Sequence, residues 1–393
     1  MTDIDQFYPS IYTHAIPWSL HTKAVCKAAL KAGKKKSPPL IGDLLDRALQ
    51  TMNDGETHGI PIGPDTSLVI AEIVLASVDA ELLKRFGTDL RGFRYVDDYE
   101  LSFGSLSATE QALADLQGVL ATFELLLNPK KTEIVELPHR LDSGWSTELK
   151  SAEVRGAKQP VGQRNDLLAL FSRAFDLASD HPSDSVLRYA VSRVQGVSVA
   201  SSAWRAFHNC VLGAAAADAS TLPVALGTLF EVAQRGTHAV PQAPLGEVFE
   251  SIVARHAPRS QASEVAWAIW GALAWNVSLS AQAARLVSSM EDDVVALLAL
   301  HANARHLFPA GALDLAVWSS LVNQPDALNG EHWLLAYEAN QQGWLNVPAV
   351  SASPVFSAFS KGGVRFYDRT KIKPQFPQAG RAVPGGRLWS DYA

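Results

Sequence analysis

The sequence predicts an α+β first part followed by an all-α second part. Three observations carry this. Two β-like runs flank an Asp-Asp pair, strand and helix patterns alternate up to about residue 137, and Ala-rich helical periodicity takes over from about Asp166. The first pattern is that of helices packed on one face of an antiparallel sheet.

Taken in order, Asp3 to Ile11 opens on a strand. Asp65-Thr66-Ser67 then caps an apolar segment, Leu68 to Phe86, long enough to be a buried helix. Gly92-Phe93-Arg94-Tyr95-Val96 and Glu100-Leu101-Ser102-Phe103 read as a hairpin with Asp97-Asp98-Tyr99 at its turn. Ser107 to Leu126 is a second helix, begun by a Ser-x-x-Glu box at Ser107 and Glu110, and Lys131 to Leu137 reads as another strand. Beyond it, Asp166 to Ser179, Ser263 to Asn276, Ala281 to Val287 and Asp292 to Ala304 are helical, interrupted at Pro241-Gln242-Ala243-Pro244 and Asn323-Gln324-Pro325-Asp326. Stacked, HEAT-like helix pairs and a plain helical bundle both fit, for no strict repeat unit can be read. Residues 361–393 carry Lys361, Arg365, Arg369, Lys371, Lys373, Arg381 and Arg387 interleaved with Phe366, Tyr367, Phe376 and Trp389. Such a tail suits single-stranded nucleic acid or is a solvated end. The domains expected are 1–150, 151–360 and 361–393.

Composition narrows the class. With 393 residues, 47 % apolar and 19 % charged, and ten tryptophans, the chain is globular and long enough for two or three domains. No apolar run reaches the roughly 18 residues of a membrane span, and the start is not a basic signal sequence, so no membrane partner and a cytoplasmic location are expected. Cys26 and Cys210 stand far apart without partners at ligand spacing, which reads as two buried, inert thiols. Net charge is −6, all of it in residues 1–150 (15 Lys+Arg against 21 Asp+Glu), and this argues weakly against nucleic-acid binding.

Three acidic elements stand out: Asp3-Ile4-Asp5-Gln6-Phe7-Tyr8-Pro9-Ser10-Ile11, Tyr95-Val96-Asp97-Asp98, and between them Gly59-Ile60-Pro61-Ile62-Gly63-Pro64-Asp65-Thr66-Ser67. An Asp on one strand and an Asp-Asp pair on an adjacent hairpin bring three carboxylates together, and their repulsion is tolerable only with cations between them. Two Mg²⁺ ions, with Mn²⁺ as the alternative, are the natural guests, and such a clamp serves in-line phosphoryl transfer. Asp292-Asp293 reads as a solvated helix start, Lys34-Lys35-Lys36 as a surface loop, and His14 and His21 as packing or capping groups.

These elements resemble motifs A, B, C and D of the reverse transcriptase palm, over about residues 1–137. The resemblance implies that Asp3, Asp97 and Asp98 hold the metals, with the Ile4 carbonyl as a further ligand. Asp5 is then not catalytic, which requires the chain to become irregular after Ile4. Tyr8 matches the aromatic gate that excludes a ribose 2′-hydroxyl, and Phe7, Pro61, Gly63 and Ser67 belong with it to the nucleotide site. Ile62 departs from the Gln usual in the family. Leu127-Asn128-Pro129-Lys130-Lys131-Thr132 resembles motif D, where Lys131 fits the proton donor to pyrophosphate better than Lys130.

Within that family, Phe7-Tyr8-Pro9-Ser10-Ile11-Tyr12-Thr13-His14 followed by Ile16-Pro17-Trp18, with the Gly59 to Ser67 run, looks like the abortive-infection (Abi-type) antiphage enzymes. These carry a helical domain in place of a basic thumb, and some make DNA untemplated from a protein hydroxyl. The partners implied are deoxynucleoside triphosphates and DNA or RNA, and helical repeat surfaces suggest a homo-oligomer. Motif A at the first residues predicts an N-terminally truncated chain or a misassigned start, with roughly a hundred residues of fingers missing. The alternatives are a retron or group II intron-like reverse transcriptase copying a dedicated RNA, and a non-catalytic helical scaffold with a remnant palm.

Overall fold

The computed structural model describes residues 1–32, 40–87, 90–138, 144–236 and 238–372. Lys34, Lys35 and Lys36, and the tail residues Lys373, Phe376, Arg381, Arg387 and Trp389, lie outside the described residues. The chain divides into two units, Met1–Leu141 and Asp142–Ala393.

The first unit is built on a three-stranded antiparallel sheet of order β1-β3-β2, with β1 at Thr2–Asp3, β2 at Arg91–Tyr95 and β3 at Asp98–Ser102. The hairpin β2-β3 is where the sequence puts it, but Asp98 and Tyr99 already belong to β3, so the turn is Val96-Asp97 alone. After β1 come helices α1 (Phe7–Ser10), α2 (Ala15–His21), α3 (Lys23–Ala32) and α4 (Ile41–Met52). Helix α5 (Asp65–Phe86) buries Ile70, Ala71, Val74, Leu75, Val78 and Leu82, one stripe at helical spacing. It packs with Leu116, Val119 and Leu120 of α6 (Leu106–Thr122) and with Ile4, Phe7, Ile11 and Ile16 into one core.

Three local expectations change. Asp65, Thr66 and Ser67 do not cap α5 but form its first turn, with Pro64 ahead of them and no side-chain cap. Helix α6 is capped by Ser105, whose hydroxyl accepts from the Ala108 amide, and it ends at Thr122. Ser107 therefore lies inside the helix. Lys131 to Leu137 is not a ladder strand. Pro129 offers no amide and Asn128 to Lys131 closes a turn, so the backbone here meets the start of the chain through Asn128 N–H to the Asp3 carbonyl (2.9 Å) and the Met1–Glu133 pair (2.8 Å), and its side chains through Thr132 to the Thr2 hydroxyl (2.7 Å) and Lys131 to Asp3 (2.6 Å), without a ladder.

The second unit is helical throughout its described residues. Helices α7 (Gly144–Ser151), α8 (Pro160–Asp180), α9 (Val186–Arg193), α10 (Trp204–Ala217), α11 (Leu222–Gln234), α12 (Gln242–His256), α13 (Ala262–Trp275), α14 (Ala281–Ser288), α15 (Asp293–Ala304), α16 (Ala316–Val322) and α17 (Trp333–Gln341) are followed by α18 (Pro348–Ala352) and α19 (Pro354–Lys361). Alternate helices touch, α8-α10-α12-α14 in one row and α9-α11-α13-α15-α17 in the other. Helix α15 is central, for Val295 to Ala302 are all buried. Its start is less solvated than its sequence suggests. Asp292 caps the Val295 amide, while Asp293 is withdrawn from water and accepts from the Leu335 amide and the His332 ring, each at 2.9 Å. Cys26 and Cys210 are half-buried rather than buried, and burial raises both thiols, Cys210 to about 11. Among the described residues no helix is long and apolar enough to cross a membrane.

The described part of the basic, aromatic tail is largely exposed yet tied down at several points. Phe366 donates its amide to buried Glu338 (2.5 Å), Tyr337 donates its hydroxyl to the Val364 carbonyl (2.9 Å), and Tyr367 shares a 2.8 Å hydrogen bond with His301. Tyr367 is held on α15, while Phe366, half exposed, meets Trp333 of α17 edge-on at 5.1 Å.

Two expectations follow. Gly92 has φ +143°, and a Cβ there would lie 2.0 Å from the Glu100 carbonyl oxygen. Gly92→Ala is expected to destabilise the first unit by about 1–3 kcal/mol, read by denaturant unfolding. Burial, with Arg305 and Arg369 nearby, lowers His301 from 6.5 to about 4. The unfolded chain then binds the extra proton first, so stability is lost as pH falls from about 6.5 to 4 and levels off below. In melting scans at pH 7 and 4.5, His301→Gln should show a smaller drop than the unaltered protein.

Candidate active site

Strand β1 ends early because the chain turns: Gln6 takes φ +42° and α1 begins at Phe7. The irregularity expected after Ile4 is present, and it separates Asp3, 5 % exposed, from exposed Asp5. Asp3 stands opposite Asp98 in the β1-β3 ladder, and Asp98 stands opposite Tyr95 across the hairpin. Cross-strand neighbours share a face. Asp97 occupies the turn, where its carbonyl accepts from the Ile4 amide (3.2 Å) and the preceding Val96 is held at φ +52°. A β-branched residue avoids that region, and strain of this kind gathers at functional sites.

Charge at the site is strongly coupled. The Asp97 carboxyl is pushed up by burial and then by Asp98 and Asp3. Lys131 Nζ donates to Asp3 Oδ2 at 2.6 Å, and this carboxylate holds its ammonium above the usual lysine range. Lys131 reaches Asp3 because its amide closes the turn onto the Asn128 carbonyl (3.2 Å) and the Thr132 hydroxyl ties back to the same oxygen (2.7 Å). Asp3 Oδ1 is buried with no hydrogen-bond partner. An orphaned buried carboxylate oxygen beside two further carboxylates fits a hard divalent cation. The Ile4 carbonyl takes part in none of the bonds described above. Even so, among the described residues no three His, Cys, Asp or Glu side chains converge as a ready metal cage. Asp98 points to solvent and Lys131 occupies one oxygen of Asp3, so the three carboxylates are neighbours without a common focus.

The glycine loop is stitched to the same place. Gly59 N–H donates to the Ile11 carbonyl (2.9 Å) and Ile60 N–H to the Tyr8 carbonyl (3.0 Å). Gly59 has φ +87° with Pro9 close behind, as only glycine readily allows. Pro61, Ile62 and Gly63 project into solvent, Ile62 at 74 % exposure. Tyr8 is half-buried, its hydroxyl raised by burial and by Asp97 and Glu72. Phe7 and Ser67 face the core instead, Phe7 meeting Tyr8 edge-on at 5.5 Å.

Residues 6–159 match the family model described as reverse transcriptase (RNA-dependent DNA polymerase). The chain carries a reverse transcriptase domain. Such a domain is a nucleotidyltransferase, and its kind generally works with divalent metal ions. The matched span contains Tyr8, Gly59 to Ser67, Asp97, Asp98 and Lys131, and Asp3 lies just ahead of it. No curated protein matches the sequence.

The domain also holds groups that sequence reading passes over. Arg94 sits on the inner side of β2, where its guanidinium meets Glu72 and Asp79 of α5 and the Val96 carbonyl. Glu72 and Asp79, two helical turns apart on one flank of an apolar stripe, are the signal that could have revealed it. His14 finds a partner after all, Asp46, at 2.6 Å, with Gln50 on the other Asp46 oxygen (2.6 Å), while His21 accepts from the Gly42 amide (3.2 Å).

Proposed function

We propose that this protein is an RNA-directed DNA polymerase that adds deoxynucleotides by two-metal phosphoryl transfer. The observation that carries this is Asp3: a carboxylate taken almost fully out of water, one oxygen unpartnered, set opposite Asp98 and beside Asp97. Asp3, Asp97, Asp98 and the Ile4 carbonyl would hold the ions. When bound, two Mg²⁺ supply the charge that activates a 3′-hydroxyl and steadies the leaving pyrophosphate. The chain's own residues do the rest. Tyr8 packs on Phe7 and closes the side where a ribose 2′-hydroxyl would sit. Lys131, kept protonated by Asp3, is the proton donor to the leaving group. The backbone around Gly59 and Gly63 lets a nucleotide approach closely.

The biological setting proposed is antiphage defence. Its support is the resemblance of Phe7 to Trp18 and of the Gly59 loop to Abi-type enzymes, together with a helical second unit that we read as a HEAT-like platform for self-association. The same resemblance favours untemplated synthesis primed from a tyrosine hydroxyl.

Incubated with Mg²⁺ and deoxynucleotides alone, the purified protein is expected to carry covalently attached DNA. Extension of an added RNA-templated primer, without protein-linked product, would instead establish conventional reverse transcription. In either assay Asp97→Ala should lower incorporation at least about a hundredfold, and undiminished incorporation would sink the assignment. Tyr8→Ala is expected to admit ribonucleotides, measured as the ratio of ribo- to deoxynucleotide incorporation.

A further inference from the structure

The turn that presents Asp97 is unfavourable for its own sequence, since Val96 is β-branched and left-handed. Something must hold it. Arg94 Nη1 donates to the Val96 carbonyl at 2.7 Å and to Glu72 Oε1 at 3.0 Å. Its Nη2 donates to Glu72 Oε2 (2.9 Å) and Asp79 Oδ2 (2.8 Å), and Nε to the Asp79 carboxylate (3.1 and 3.2 Å). All five N–H groups of the guanidinium are thus engaged, four on α5 and one on the turn. The group is only 13 % exposed.

A peptide bond is planar, so fixing the Val96 carbonyl also fixes the Asp97 amide. The next plane is fixed as well, by the Ile4 amide on the Asp97 carbonyl. With both planes set, the direction of the Asp97 Cα–Cβ bond is set, and only the two short side-chain torsions remain to aim the carboxylate. We propose that Arg94, anchored by Glu72 and Asp79, is a positioning residue that aims Asp97 through the Val96 carbonyl. The proposal rests on the polymerase reading for its kinetic consequence, whereas its structural part stands on the turn alone. Lysine cannot replace it: one ammonium keeps the charge but cannot span two carboxylates and a carbonyl in one plane.

The test compares Arg94→Lys with Arg85→Met. Arg85 is a second strut on α5, bonded to Asp115 at 2.8 Å and not to the turn. Arg94→Lys is expected to lower kcat about tenfold to a hundredfold, as a small misplacement of a reacting group does, while KM for the deoxynucleotide is retained. Hydrogen exchange at residues 95–98 should become severalfold faster, with the amides of α5 unchanged. Arg85→Met should alter neither kcat nor that exchange. If Arg94→Lys lowers the melting temperature but leaves kcat and exchange at 95–98 as in the unaltered protein, Arg94 is a strut and the proposal falls. If the unaltered protein incorporates no deoxynucleotide, the polymerase reading fails by itself, and the exchange measurement still decides what Arg94 does.

Discussion

A carboxylate pressed into a protein interior is the constraint around which the first unit is arranged. Asp3 gives up nearly all its water and recovers one strong hydrogen bond, from Lys131, for one of its two oxygens. Removing charge from water is costly unless it is paired and fully bonded. A sequence selected for stability alone would not place Asp there. The neighbours make the position tenable: β3 fixes its backbone, the Asn128 turn brings Lys131 within reach, and the apolar side of α5 keeps the sheet from shifting.

That arrangement divides labour between backbone and side chains. The backbone sets positions, through the β1-β3 register, the two amide bonds from the glycine loop to α1, and the hold on Asp97 from either side. Side chains set charge: Lys131 and Arg94 each answer carboxylates that would otherwise repel one another. The second unit shows the same economy in apolar form, where α15 is buried nearly all round and the segment after α19 closes over it through Glu338, Tyr337 and His301.

Much of this was legible before any coordinates. The Asp-Asp hairpin and the long apolar helix have local signals, alternation about a turn and a stripe at helical spacing, whereas the break after Ile4 is implied only by the resemblance that singles out Asp3. What escaped is fine turn and cap geometry, and pairings between residues distant in sequence. Lys131 to Leu137 has strand composition, yet Pro129 and the Asn128 turn deny it a ladder. The Ser-x-x-Glu box at Ser107 looks like a cap, yet the helix already begins at Leu106 and Ser105 caps it. Phe366 and Tyr367 look like stacking platforms until Tyr337 and His301 are seen to claim them. Arg94 and its two acidic partners lie 15 and 22 residues apart, and only the hairpin's approach to α5 makes them a unit.

The two-residue strand β1 bears on how the site comes into being. Its partners are Tyr99 and Asp98, and Asp3 meets Lys131 across a separation of 128 residues. Contacts of such span form late, after the loops between them have closed, and they slow folding relative to local structure. On the ribosome the helices and the hairpin can form as they emerge, but the acidic centre cannot be completed until the Asn128 turn has left the exit tunnel. Within the first unit the acidic centre is therefore completed last. A nascent chain released before that point would have the helices and the hairpin of the first unit and no acidic centre.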